Sequence, residues 1–376
     1  MSPKQGRPAL GALQSYPTEL REKISELRQN NPGWGAISIL VELEHVLNYA
    51  PKKLPSVNSV HRYLKDCGFI NPKIPKSDVP EIKTPLVKAC HDLWEMDAQG
   101  AVPVSGIGYV SMINIKDSKS KVYVMSFPVQ VSSKMSQPKT IHYLWALRLA
   151  FEQFGLPKAI QVDKDSVFID NTSRSAFPSL IQLFLLGLGI DLSFITVPPP
   201  AKQAMVERSH QTLDKQVLKG KIYKSWHELF INTNKRRGIL NEKYPCRTLG
   251  KRAPMKVYPE AIHSRRPYSI EKETKLLDLN RIEKSLAHYT WYRKISKVKT
   301  LSLKKIYYLK GAKPETYVQI KFCATSKKMI FRDVNEQIIE ELDTKDFAKS
   351  LLKLKTTQAL LSMKKKIFKN KNFPLE

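Results

Sequence analysis

Three consecutive prolines, Pro198 to Pro200, divide the run Val197 to Leu218, VPPPAKQAMVERSHQTLDKQVL, from what precedes it. Proline has no N–H to give a strand ladder but suits the first turn of a helix, so the β-rich run Leu192 to Val197 must stop here and a helix begin. On a helical wheel, residues 202–219 place Val206, Leu213 and Val217 on one buried stripe and Gln203, Glu207, Gln211 and Asp214 on a neighbouring face. Glu207 therefore belongs to the rim of a cleft.

The longer run GIDLSFITVPPPAKQAMVERSHQTLDKQVL resembles the last catalytic segment of the DDE transposases and integrases, the retroviral-integrase-like family common in bacterial insertion sequences. The resemblance makes Glu207 the third acidic residue of an active site. It implies two aspartates upstream, and matching contexts are present. Asp97 closes the apolar run LWEMD, similar to the family's first strand, and Asp163 in GLPKAIQVDKDSVF is similar to the family's G-L-P-x-x-x-x-x-D-N-G-x-x-F. Asp165 and Asp170 compete for the second position, and Asp163 is favoured because it directly follows the strand residues Ile160 and Val162. Asp97 and Asp163 are 66 residues apart and Asp163 and Glu207 44 apart, the second spacing being lengthened by a polar insertion, Ile169 to Phe177.

Hard cations such as Mg²⁺ take oxygen ligands, so three carboxylates and a substrate phosphate suffice for two ions, with Mn²⁺ as a substitute. A pair of ions suits in-line displacement at phosphorus. The expected roles are Asp97 between the two metals, Asp163 on one and Glu207 on the other. Two departures from the family pattern stand beside this: Asp163-Lys164-Asp165 replaces Asp-Asn-Gly, and Gln203-Ala204 replaces Asn-Gly. They keep open a DNA-binding protein derived from a transposase but catalytically silent, and a nuclease that cuts without joining.

With 376 residues the chain can hold two or three domains with at least one substantial core. It has no stretch apolar enough for a membrane span and no apolar signal core, so a soluble cytoplasmic protein, bacterial and associated with the nucleoid, is expected, with no membrane partner. Cys67, Cys90, Cys246 and Cys323 form no C-x-x-C pair, and His45, His61, Cys67 and Cys90 lack zinc-domain spacing. The net charge is +29, and its distribution is uneven. Basic residues exceed acidic ones by 5 in residues 1–90, 2 in 91–220, 7 in 221–263 and 15 in 264–376. Basic flanks around a nearly neutral centre suit a polyanion.

Residues 1–16 read as disordered. Helical periodicity from Thr18, the stop Asn30-Asn31-Pro32-Gly33, a second helix through Leu47 and a third from Val57 to Asp66 behind a Ser56 cap make 17–70 a three-helix, helix-turn-helix candidate. NNPGWGAISILVELE resembles helix-turn-helix segments that precede this catalytic core. Asn58, Ser59, His61, Arg62 and Lys65 are then the groove-facing residues, with Val57, Val60 and Leu64 inward; a bundle that only packs on the core is the alternative. A proline-rich linker, 71–88, leads to the core, 89–220.

The core reads β-β-β-α-β-α-β-α, the order of a ribonuclease-H-like fold. A helical region, 221–285, resembles the family's post-catalytic helices, and Lys235, Arg236 and Arg237 are DNA-backbone candidates, as are Lys164 and Arg208 nearer the site. Short alternating runs over 286–346, with Tyr307, Tyr308 and Gly311, resemble an SH3-like β-barrel, and 347–376 reads as a basic tail. The whole is a multidomain α+β chain. The resemblance implies a polynucleotidyl transferase acting on double-stranded DNA, both element ends and target, as a homo-oligomer of at least two copies. A helper protein is a further partner left open.

Overall fold

The computed structural model describes residues 11–31, 34–70, 86–169, 175–195 and 210–352. The chain divides into two compact units, Met1–Ile74 and Pro75–Glu376.

In the first unit α1 (Thr18–Asn30), α2 (Ala36–His45) and α3 (Val57–Asp66) close on Leu20, Ile24, Ile39, Leu43, Val60 and Leu64. The Ser56 side chain caps α3 by accepting from the Ser59 N–H, as its position before an apolar-periodic run implies. Val57 does not pack inward. At the first turn of α3 it is exposed, because Val60 and Leu64 already fill the inward stripe.

The second unit is built on β1 (Leu93–Val104), β2 (Gly108–Asp117), β3 (Tyr123–Val131), β4 (Ala159–Val162) and β5 (Asp191–Phe194), ordered β3-β2-β1-β4-β5. β1, β2 and β3 are antiparallel neighbours, whereas β4 runs parallel to both β1 and β5. A mixed sheet in this order is consistent with a ribonuclease-H-like core. Its helices are α4 (Thr140–Phe154), α5 (Leu180–Gly187) and α6, described over 210–218 with a π-helical end at Asp214–Leu218. One face is apolar, with Trp94, Met96, Ile113, Phe127, Ile160 and Val162 in the same core as Leu144, Leu147 and Phe151 of α4. On the other, Val110, Met112 and Tyr123 share a core with Leu213 and Val217 of α6 and Leu229 and Leu240 of α7 (Trp226–Glu242).

β3 is an edge strand, and α7 covers it. Arg237 donates to the carbonyls of Tyr123 and Val124 at 3.0 and 2.7 Å, and the Asn241 amide group bonds both main-chain groups of Tyr123. These contacts satisfy backbone groups that would otherwise template another chain. Short helices α8 (Pro254–Val257), α9 (Glu273–Leu276) and α10 (Leu279–Leu286) follow.

The last part holds an antiparallel four-stranded sheet ordered β11-β10-β9-β6, made of β6 (Thr290–Lys294), β9 (Tyr317–Cys323), β10 (Lys328–Arg332) and β11 (Ile338–Asp343). A separate hairpin pairs β7 (Thr300–Leu303) with β8 (Lys305–Tyr308). Its core is continuous with that of the mixed sheet. The joint is the end of the expected polar insertion: Phe177 stacks on Trp291 at 4.9 Å, and Ser175 accepts from the Tyr292 N–H at 2.8 Å. The expected basic tail begins instead as a helix, α11 (Phe347–Leu352), because Phe347, Ala348 and Leu352 bury themselves against this core. Among the described residues no helix is long and apolar enough to cross a membrane.

Candidate active site

The parallel pairing of β1 with β4 sets Leu93 opposite Ala159, Trp94 opposite Ile160 and Glu95 opposite Gln161. The pairing ends there, two residues short of Asp97 and Asp163, which follow on the two chains at the same offset; within β1 Asp97 lies on the face away from Trp94 and Met96. Asp97 is not at a strand end, as its run suggested. β1 continues to Val104 through a register shift between Gln99 and Val102, and it is β4 that stops just before Asp163.

Three carboxylates act electrostatically on one phenol. Tyr143, in the first turn of α4, is buried, and its hydroxyl is pushed above its usual range by burial and by the charges of Asp165, Asp97 and Asp163. Asp163 is itself pushed up, chiefly by burial; the Asp165 N–H, donating to Asp163 Oδ1 at 3.2 Å, pulls the other way and the Asp165 charge adds to the rise. Asp165 Oδ1 meanwhile accepts from the Val167 N–H at 2.9 Å, capping a turn whose Phe168 meets the Tyr143 ring edge-on at 5.0 Å. The loop that replaces Asp-Asn-Gly is therefore self-bonded and packed on the same tyrosine.

From the facing helix, His210 Nε2 lies 4.0 Å from Asp97 Oδ2. Burial pushes this imidazole down to about 4, so at neutral pH it is uncharged and the contact is a dipole beside a carboxylate, not an ion pair. On the other side of Asp97, in register, sits Asn114, followed by Ser126 on β3. Asn114 is fully buried, and neither its amide oxygen nor its nitrogen has a hydrogen-bond partner among the described residues. The sheet thus carries a polar stripe through Asp97 on its α6 side, against the apolar face behind it.

A cation fits the chemistry here: two carboxylates act on the same tyrosine, and one of them is held towards protonation by desolvation that a cation would offset. Among the described residues no three His, Cys, Asp or Glu side chains form a group able to hold a metal. Glu207 and Arg208 lie outside the described residues.

Of the DNA-contact candidates, Asn58, His61, Arg62 and Lys65 are exposed on α3, and Ser59 is half-buried with its hydroxyl on Ser56 at 2.9 Å. Lys164 is exposed beside Asp163. Lys235 is exposed, and Arg236 donates to Gln216 at 2.7 Å; with Lys221 they line a groove of about 370 Å³ between α6 and α7. Arg237 is a correction. It is buried, bonded to two carbonyls of β3, to Asn234 and to Gln153, and burial lowers it to about 10. This guanidinium holds the sheet edge and does not reach a phosphate.

Tyr143 and Asn114 were not among the sequence candidates. Counting the strand register could have found Asn114; nothing local in TIHYLW distinguishes Tyr143 from the apolar positions around it.

No family model matches the chain. Solved structures similar to it include the HTLV-2 integrase catalytic core domain in complex with magnesium. Its trimeric form has 13% identity, a TM-score of 0.33 and coverage of 45% of this chain and 97% of that one. The dimeric form gives 12%, 0.31 and the same coverage. A simian T-cell lymphotropic virus intasome in complex with PP2A regulatory subunit B56 gamma has 13% identity and a TM-score of 0.34, over 62% of this chain and 73% of that one. The fold assignment rests on the strand order and register of this chain.

Proposed function

We propose that the chain is a DDE transposase of the insertion-sequence type, a polynucleotidyl transferase whose acidic site is Asp97, Asp163 and Glu207. The observation that carries this is that Asp97 and Asp163 both act on Tyr143, each two residues beyond the last β1–β4 pair, Glu95 and Gln161. Asp97, Asp163 and Glu207 would hold Mg²⁺, or Mn²⁺, which when bound supplies activation of an attacking oxygen and stabilisation of the leaving one in in-line displacement at phosphorus. The chain's own part is to hold those oxygens still. Neutral His210 stands against Asp97 without competing as a charge, and the Asp165 amide fixes one oxygen of Asp163. Glu207 enters from the sequence alone, three positions before His210.

In this reading Asp97 and Asp163 direct a water to cut one strand at each element end, and the freed 3′-hydroxyl then attacks target DNA. No covalent protein intermediate is required. The three-helix unit, read as a helix-turn-helix, would bind element ends through Asn58, Ser59, His61, Arg62 and Lys65. Lys164, Arg208, Lys235 and Arg236 would track phosphates nearer the site, and the C-terminal sheets, read as an SH3-like barrel, would add backbone contacts. Joining two ends calls for at least a dimer.

The altered Asp163-Lys164-Asp165 loop favours a second reading, a silent DNA-binding descendant. The test is a reaction of the protein with labelled DNA from the two flanks of its own gene and a plasmid target in Mn²⁺. Joined products are expected with the wild type and a loss of at least about 100-fold with Asp97→Asn, Asp163→Asn or Glu207→Gln, DNA binding being kept. DNA binding with no metal-dependent cleavage supports the silent reading, and nicks without joined products support a nuclease. Joining by any one variant at the wild-type rate removes that residue from the site.

A further inference from the structure

The mixed sheet carries three polar residues in one row across β1, β2 and β3. Asp97 pairs directly with Asn114, and Asn114 with Ser126. Their strand neighbours Met96, Ile113, Ile115, Met125 and Phe127 belong to the apolar core behind the sheet. Strand alternation therefore turns the row to the opposite face, the one that Met112 shares with Leu213 of α6. Directly paired residues on one face have Cβ atoms about 4.5–5.5 Å apart. At that separation a carboxamide can meet a carboxylate on one side and a hydroxyl on the other.

The row runs from water inwards. The Asp97 side chain is 22% exposed, whereas Asn114 and Ser126 are fully buried. Asp97 Oδ1 accepts from the Ala98 N–H at 2.9 Å, and Oδ2 lies 4.0 Å from His210 Nε2. A carboxylate has about four acceptor positions, so these contacts leave room for another donor. Both amide atoms of Asn114 and the Ser126 hydroxyl have no hydrogen-bond partner among the described residues. A buried polar group without a partner is less stable than an apolar side chain of the same shape, and β2 already places Val110 and Met112 on this face. An unpaired carboxamide in that setting, next to Asp97, belongs to the chemistry of the acid.

The donor inventory sets the direction. A carboxylate only accepts, so Asn114 can meet Asp97 only through Nδ2, which leaves its Oδ1 for the Ser126 hydroxyl. Two bonds, Ser126 O–H to Asn114 and Asn114 N–H to Asp97, then give each orphan atom of the row a partner. Glu95 Oε2 and Gln99 Oε1 are unpartnered acceptors as well, but they lie diagonal to Asn114, farther than its direct pair.

We propose that Asn114 is a positioning residue for Asp97: its Nδ2 donates to the carboxylate and fixes its orientation for a cation, and Ser126 holds the amide from behind. The proposal rests on the reading of Asp97 as a cation-holding residue. Mn²⁺ is titrated by calorimetry into the full-length wild type, Asp97→Asn, Asn114→Leu and Ser126→Ala, and the thermal midpoint of each is measured without metal.

Asn114→Leu should weaken Mn²⁺ binding about tenfold while its midpoint stays level or rises, because an apolar side chain replaces an unpaired amide. Ser126→Ala should weaken binding several-fold, and it decides by the same two readouts if Asn114→Leu does not fold. Weaker binding with a lowered midpoint in both variants assigns Asn114 to packing and overturns the proposal. Loss of binding in Asp97→Asn with wild-type binding in folded Asn114→Leu overturns it too, and leaves the cation reading of Asp97 standing. Equal binding, or none, in the wild type and Asp97→Asn overturns that reading and this proposal with it.

Discussion

His210 is a buried imidazole whose proton affinity is depressed to about 4 from an ordinary 6.5, with burial the main cause and the Asp97 carbonyl opposing it. A group with a depressed folded value binds fewer protons in the folded than in the unfolded state between those two values, so stability must fall as pH falls through that window. In the metal-free protein the thermal midpoint should therefore drop between about pH 6.5 and pH 4, and His210→Gln should flatten that part of the profile. A profile in the variant as steep as in the wild type would assign the pH dependence to other groups. Residues of this kind mark the limit of local reading. Asp97 and Asp163 could be proposed from the chain because each follows an apolar run, and their 66-residue spacing equals the offset of the β1–β4 register. Tyr143 and Asn114 join them only through packing between segments that carry no mutual signal. Arg237 misled for the opposite reason: a basic triplet, Lys235 to Arg237, looks like one surface, yet helical rotation turns its third member into the sheet edge.

At the scale of elements, α4 is fastened to the region after α7 by a buried ion pair. Arg148 donates to both oxygens of Glu273 at 2.6 and 2.7 Å, Tyr268 donates to the same carboxylate, and the side chains are almost wholly out of water. Removing one partner leaves the other charge buried, so Glu273→Ala should cost about 3–5 kcal/mol, read from urea midpoints. Arg148→Met with Glu273→Leu should recover most of that; if the double variant is as unstable as the single one, packing at α9 and not the stranded charge is what was lost. The helices with clear caps or stops, α1, α3 and α4, could be read from the chain because their signals are local. β1 beyond Asp97 could not, since Gly100 and Pro103 both read as strand breakers and the bulge that absorbs the irregularity depends on β2. The same holds for α11, whose few apolar residues sit among lysines and become helical only against α5 and α10.

For the whole molecule, charge and chemistry are separated: the mixed sheet is nearly neutral and its flanks hold the basic excess. One hydrophobic core runs from that sheet into the C-terminal strands, so the carboxylate pair is carried on a scaffold that includes both. The sheet order, the parallel β1–β4 pairing and the stripe around Asp97 all meet at one claim, that Asp97 and Asp163 act as a single cation-holding pair. Electron paramagnetic resonance of Mn²⁺ titrated into the full-length wild type, Asp97→Asn and Asp163→Asn reads that claim without needing the right DNA. Bound Mn²⁺ in the wild type, weakened by about 10-fold or more in each variant with folding intact, is the predicted result. Mn²⁺ binding of equal strength in all three proteins would contradict it.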